Sequence, residues 1–179
     1  MSSIADLQNS LQRASEGLAN YQRALAIIEP LRAADPDDQL APQAIAFLLN
    51  GRGSSHLLLG DHAAALHDFS EAEKILRNGP PPQPTDIAEI RMLPGITYAN
   101  LARVTAVIAQ QDATPKNLRA NYVREAGEWS RRALQTLEPL TRDALEGRHA
   151  KHVIAEMNAA TAPLLRDCRR SGSESVDCR

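Results

Sequence analysis

The segment from Leu49 to Leu76, LNGRGSSHLLLGDHAAALHDFSEAEKIL, constrains the fold more than any other part of the chain. Leu49, Gly53, Leu57 and Leu58 recur at helical spacing, and so do Ala65, Leu66, Phe69, Ala72, Ile75 and Leu76. Each set makes one apolar face of a helix. Gly60-Asp61 lies between them. A glycine closes a helix without a Cβ penalty, and an aspartate accepts a hydrogen bond from the first turn of the helix that follows. The pattern predicts two short helices folded back on each other. Gly53 and Ala65 are small where the two would meet. Phe69 and Ala72 continue that face, so the helices can approach closely with Phe69 filling the space beside them.

Composition agrees with packed helices. Hydrophobic residues make up 43% of the 179-residue chain but aromatics only 3%. A β-sandwich draws on β-branched and aromatic residues instead. The net charge of −2 and pI near 6.2 give no basic footprint, so no nucleic-acid partner is expected. No apolar run reaches bilayer length, so no direct membrane insertion is expected. The opening MSSIADLQNS lacks the basic and apolar regions of a signal peptide. Cys168 and Cys178 are the two cysteines. They make no disulfide framework and read as reduced cytosolic thiols.

The flanking chain extends the theme. Leu7, Leu11, Leu18, Tyr21, Leu25 and Ile28 predict a helix over 3–34, with Gly17 marking a turn or a close contact. A kink or stop is expected near Pro30, because proline removes a helical donor and crowds the preceding turn. Asp35-Pro36-Asp37-Asp38 reads as a turn and a cap. Helices are predicted over 41–59 and 62–77, with Asn78-Gly79 closing the second. Pro80 to Pro84 reads as a stiff linker, with Thr85 or Asp86 capping a helix over 86–111 that kinks at Pro94-Gly95. A loop over 112–115 precedes a helix over 116–138. Gly147 breaks the pattern. A terminal helix follows at about 148–168, with Val153, Ile154, Met157 and Leu164 on one side and Pro163 weakening its second half. Residues 169–179 read as a polar, disordered tail.

The chain repeats itself. Residues 23–31, RALAIIEPL, match residues 132–140, RALQTLEPL, at six of nine places. Ala24 recurs as Ala72, and Tyr21 as Phe69, at a spacing of 48. Leu49, Gly53, His56 and Leu57 fall against Tyr98, Ala102, Thr105 and Ala106 at a spacing of 49. A period near 48 predicts an all-α solenoid of about three antiparallel helix pairs, at about 1–36, 41–79 and 86–140, plus the C-terminal helix. Together these form one helical repeat domain over 1–168.

Gly53, Leu57, Leu58, Gly60-Asp61, Ala65, Phe69 and Ala72 resemble the consensus of the tetratricopeptide repeat. The longer pattern YQRALAIIEPLRAADPDD, then a helix, then LLLGDHAAAL, resembles the long-period repeats that follow the kinase domain in some bacterial serine/threonine kinases. The resemblance covers about Leu7 to Leu140. Gln12-Arg13 and Ala109-Gln110 stand where Gly-Asp is expected, and the first unit begins inside a repeat, as a fragment, a trimmed chain or a decayed terminal repeat would. The resemblance implies tetratricopeptide-like helix pairs and a regulatory role in bacterial signalling. The sequence carries no His-Arg-Asp or Asp-Phe-Gly and no phosphate-binding Gly-rich loop, so no catalysis is expected of it.

In stacked helix pairs the first helices line the concave face. That logic selects Asn50, Ser54, Asn100 and Arg103 as peptide-groove candidates. An asparagine amide can pair with a peptide backbone, and an arginine can grip a carboxylate in two places. The competing reading is of ordinary solvated side chains. Among the histidines, His149 and His152 share a helix face with Glu156 and suggest a metal site, but no fourth ligand and no His-Glu-x-x-His accompanies them. No metal and no cofactor is therefore expected. His67 and Glu71 read as a surface pair. Trp129 reads as packing between the third and fourth units, or as a partner anchor. The basic residues Arg119, Arg124, Arg131 and Arg132 read as a solvated face.

These features point to a non-catalytic interaction or scaffold module that binds a protein or peptide in a groove, with homo-oligomerisation as a variant of the same reading. The alternative is a small helical enzyme or metal-binding protein using His149, His152 and Glu156. A free-standing form would be cytoplasmic. Attachment to a membrane-spanning kinase would place the repeats outside the cytoplasm.

Overall fold

Pro30 does not end the first helix. In the computed structural model, which describes residues 4–35, 38, 40–79, 81, 87–142 and 146–170, α1 runs unbroken over Ile4–Ala34. The stop expected near Pro30 is thus absent, and the region read as a first helix pair is one helix. Ala14 and Leu25 are buried on the face that packs against the next helix. That burial offsets the one hydrogen bond that proline removes. The side chains of Leu7 and Leu11 lie outside the described residues.

The next two helices are α2 (Leu40–Leu58) and α3 (His62–Asn78). Asp38 caps α2, its Oδ1 accepting from the Leu40 and Ala41 amides at 2.8 and 3.3 Å. Gly60 turns the chain with φ +81°, a region that disfavours a Cβ. Asp61 then caps α3 by accepting from the Ala64 amide at 3.0 Å. Leu49, Gly53, Ala65, Phe69 and Ala72 are buried in the seam. Leu58, placed on the same apolar face by its spacing, is instead 59% exposed. It falls where α2 ends and the chain swings away into the Gly60 turn.

Three further helices follow: α4 (Ala88–Gln110), α5 (Lys116–Leu137) and α6 (Gly147–Arg170), with a short 3-10 turn over Pro139–Arg142. Pro94 lies inside α4, and Ile87 precedes that helix without a side-chain cap. The expected caps Thr85 and Asp86 lie outside the described residues. Gly147 opens α6 rather than breaking the pattern. A Cβ there would lie 2.5 Å from the Thr141 carbonyl oxygen, so only glycine allows that approach. Pro163 sits within α6 and the helix continues to Arg170. The tail expected from residue 169 therefore starts later at the earliest, since 169 and 170 are helical. Residues 171–179, with Cys178, and the Cys168 side chain lie outside the described residues.

The helices gather into two units, Met1–Gln83 and Pro84–Arg179. In the first, α2 lies between α1 and α3 and runs against both, as contacts of Gly51 with Tyr21 and of Gly53 with Phe69 require. In the second, α5 runs against α4, with Gly95 beside Leu137 and Tyr98 stacked on Trp129. α6 runs alongside α4 in the same direction: Arg91 pairs with Glu146, Arg103 with Glu156, and Gln110 donates to the Ala160 carbonyl. Met92, Ala99, Ala102, Ala133, Leu137, Ala150, Val153 and Met157 form the core of this unit. The protein is all-α, with no strand among the described residues.

Candidate binding groove

α1 and α3 each pack on α2, and a groove of about 890 Å³ opens between them. The last turns of α1 contribute Glu29, Arg32 and Ala33. α2 supplies Pro42, Ile45, Leu49 and Arg52. From α3 come His67, Glu71, Lys74, Ile75 and Asn78. Ile45 and Leu49 are buried and Ile75 half-buried, so the floor is apolar. Glu29, Arg32, His67 and Lys74 are exposed, so the rim carries both signs of charge.

Arg52 anchors the wall between α2 and α3. Its Nη2 lies 2.6 Å from Asp68 Oδ1, and its Nε donates to Oδ2 at 2.8 Å. The two-pronged geometry suits a guanidinium and a carboxylate. The Asp68 side chain is 3% exposed, whereas that of Arg52 reaches the groove. The hydrogen bond to Asp68 is the main reason the guanidinium holds its proton above the ordinary arginine value; burial opposes this, and the charges of Asp68 and Glu29 add to it. His56 stands beside the pair, its Nε2 4.0 Å from Asp68 Oδ2 and its Nδ1 3.9 Å from Asp61 Oδ2. The groove therefore combines apolar anchoring sites with a rim of mixed charge. That is the arrangement an amphipathic helix or a short peptide requires.

The residues selected from sequence lie elsewhere. Asn50 is buried and its Nδ2 donates to the Ala46 carbonyl at 2.9 Å, so it does not line an open face. Ser54 is half-buried on α2 and is not among the lining residues. Asn100 is buried too, and its Oδ1 accepts from Arg103 Nη1 at 3.4 Å. Arg103 reaches across to Glu156 on α6 at 3.2 Å. The α4 face that carries Asn100 and Arg103 is thus turned towards a neighbouring helix, which the sequence did not announce. Asn50 and Ser54 belong to the first unit, and Asn100 and Arg103 to the second.

The metal alternative is not assembled. His149 and His152 are exposed, His152 Nε2 lies 3.5 Å from Glu156 Oε1, and the other Glu156 oxygen faces Arg103. Among the described residues no three His, Cys, Asp or Glu side chains are placed to hold a metal ion. Glu71 pairs with Lys74 at 3.6 Å. Trp129 stacks on Tyr98 with centroids 5.7 Å apart, and the Arg132 guanidinium lies 4.8 Å over its ring. Tyr98 and Arg132 belong to the third helix pair, and Trp129 also packs against the core to which α6 contributes Ala150, Val153 and Met157.

The groove residues were missed because three separate elements build them. One signal was present: Arg52 and Asp68 lie eight residues either side of Gly60, so a hairpin turning there sets them opposite. No family model, no curated protein and no solved structure matches this chain.

Proposed function

We propose that the chain is a non-catalytic protein-interaction module that takes a peptide or helix of a protein partner in the groove between α1 and α3. The observation that carries this reading is the groove itself: about 890 Å³, apolar at its floor and charged at its rim. A tetratricopeptide-like organisation is part of the proposal. It is supported by the α2–α3 hairpin with its Gly60-Asp61 turn and by α4 and α6 running side by side in the same direction, with α5 packed against both. The likeness of YQRALAIIEPLRAADPDD and LLLGDHAAAL to repeats that follow bacterial kinase domains supports a regulatory place in signalling.

The test is a displayed-peptide selection against the whole chain, followed by affinity measurement on two variants. Arg32→Glu with Lys74→Glu reverses two rim charges on exposed side chains. Asn100→Ala with Arg103→Ala alters the α4 face. The reading expects the first variant to weaken the selected peptides about tenfold and the second to leave them unchanged. The opposite pattern returns the site to the α4 face and removes the groove assignment.

A further inference from the structure

The same nonapeptide pattern occurs twice with different surroundings. Its second copy, 132–140, runs from the last turns of α5 into the 3-10 turn: Ala133 and Leu137 are fully buried, and Leu140, on that turn, packs against the same core. Thr136 and Leu140 hold the places that Ile27 and Leu31 hold in α1. The Thr136 methyl lies 3.2 Å from where a Gly95 Cβ would stand, so that face of α5 leans on α4. In α1 the equivalent face is bare. Ile27 is 66% exposed and Leu31 62%. On a helix of about 3.6 residues per turn both point away from Glu29, Arg32 and Ala33, and so away from the groove.

The bare face is complementary to itself. Arg23, Ala24, Ile27, Leu31, Ala34 and Asp35 fall within about 60° of one direction on the helix; Ala24 is half-buried at one edge and the other five are exposed. Asp35 continues the helical turn, its amide donating to the Leu31 carbonyl at 3.0 Å. Two copies of α1 laid antiparallel and centred on residue 29 set Ile27 against Leu31, Ala24 against Ala34, and Arg23 against Asp35. Apolar side chains then meet at the centre, small ones let the helices close up beside them, and opposite charges meet at both ends. A two-fold contact repeats each pairing twice.

We infer that a second copy of this chain docks on the Ile27–Leu31 face of α1, making an antiparallel, two-fold dimer. One helix pair buries less than roughly 1,200 Å², so the dimer dissociates reversibly on dilution.

The test is sedimentation of the full chain over a range of concentrations. Wild-type protein shows a monomer–dimer equilibrium. Ile27→Asp with Leu31→Asp gives monomer at every concentration, with the helical circular-dichroism spectrum and melting temperature kept. Arg23→Glu or Asp35→Arg alone weakens the dimer about tenfold, and the double reversal restores it. A wild-type chain that stays monomeric at its highest soluble concentration overturns the inference. So does a dimer that persists in the Ile27→Asp, Leu31→Asp variant, and so does a double reversal that fails to restore pairing.

Discussion

Gly53 on α2 lies so close to Phe69 on α3 that a Cβ at position 53 would stand 2.6 Å from the Phe69 ring. The helix pair is held at that spacing by the absence of one methyl group and the presence of one ring. Phe69, Ala65 and Ala72 are all fully buried there.

Two substitutions at this contact have opposite steric causes. Phe69→Ala empties the seam and costs about 3–5 kcal/mol. Gly53→Ala overfills it and costs about 1–3 kcal/mol, which outweighs the roughly 1 kcal/mol alanine gains in a helix. In the Phe69→Ala background the Gly53→Ala substitution becomes neutral or stabilising, because the clash is gone. Urea denaturation of the four proteins gives the coupling directly. Additive losses would mean the two residues do not meet.

Arg52 and Asp68 predict an asymmetry. Arg52→Ala leaves a carboxylate buried with its main partner gone and costs about 3–5 kcal/mol. Asp68→Ala costs less, because the Arg52 side chain, 24% exposed, can swing into the groove and regain water. Equal losses in chemical denaturation would contradict this account.

The same pair predicts a pH response. The guanidinium pKa is raised in the folded protein, so its stabilisation is fully present below the ordinary arginine value and is lost only as pH rises through the higher folded value. Over any pH at which the backbone survives, that contribution stays constant. Arg52→Lys brings the loss into reach. A lysine titrates near 10.4, and with its folded pKa raised by Asp68 its contribution fades as pH climbs above about 10. Melting temperatures between neutral and alkaline pH read this as a steeper fall for the lysine variant than for the wild type.

Arg91 and Glu146 join α4 to the start of α6, and the Glu146 side chain is fully buried. Arg91→Ala leaves that charge uncompensated and costs about 3–5 kcal/mol. Adding Glu146→Gln removes the charge and recovers part of the loss. If the double variant is no more stable than Arg91→Ala, the carboxylate is not what makes the single change costly. By contrast Arg103 and Glu156 are both partly solvated, and Glu156→Gln changes stability by no more than about 1 kcal/mol.

The central hairpin was legible because its information is local. Apolar spacing sets each face, Gly60 supplies the turn, and Asp61 supplies the cap within four residues. Pro30 was misleading because its cost is also local, while the burial of Leu25 on α2 that offsets it is not. The polar residues failed for a related reason. Asn50 looks solvated by type, yet inside a helix its amide finds the Ala46 carbonyl one turn back and needs no water. Thr97 and Thr105 do the same with Leu93 and Leu101. Whether Asn100 faces solvent depends on where α6 comes to rest, and that helix begins only at Gly147. The groove depends on three helices at once, so no single stretch announces it.

Gly60 is the one residue among those described whose φ is positive, and nothing lies within 4 Å of the place its Cβ would occupy. The turn is therefore chosen by handedness rather than by space. An L-alanine at this position would fit by volume and still strain the backbone. A D-alanine, introduced by chemical ligation, would accept the same φ at no cost and forbid the chain most of the alternatives that glycine explores when unfolded. Folding would then become more favourable without a single new contact, and the hairpin would owe part of its strength to mirror-image stereochemistry.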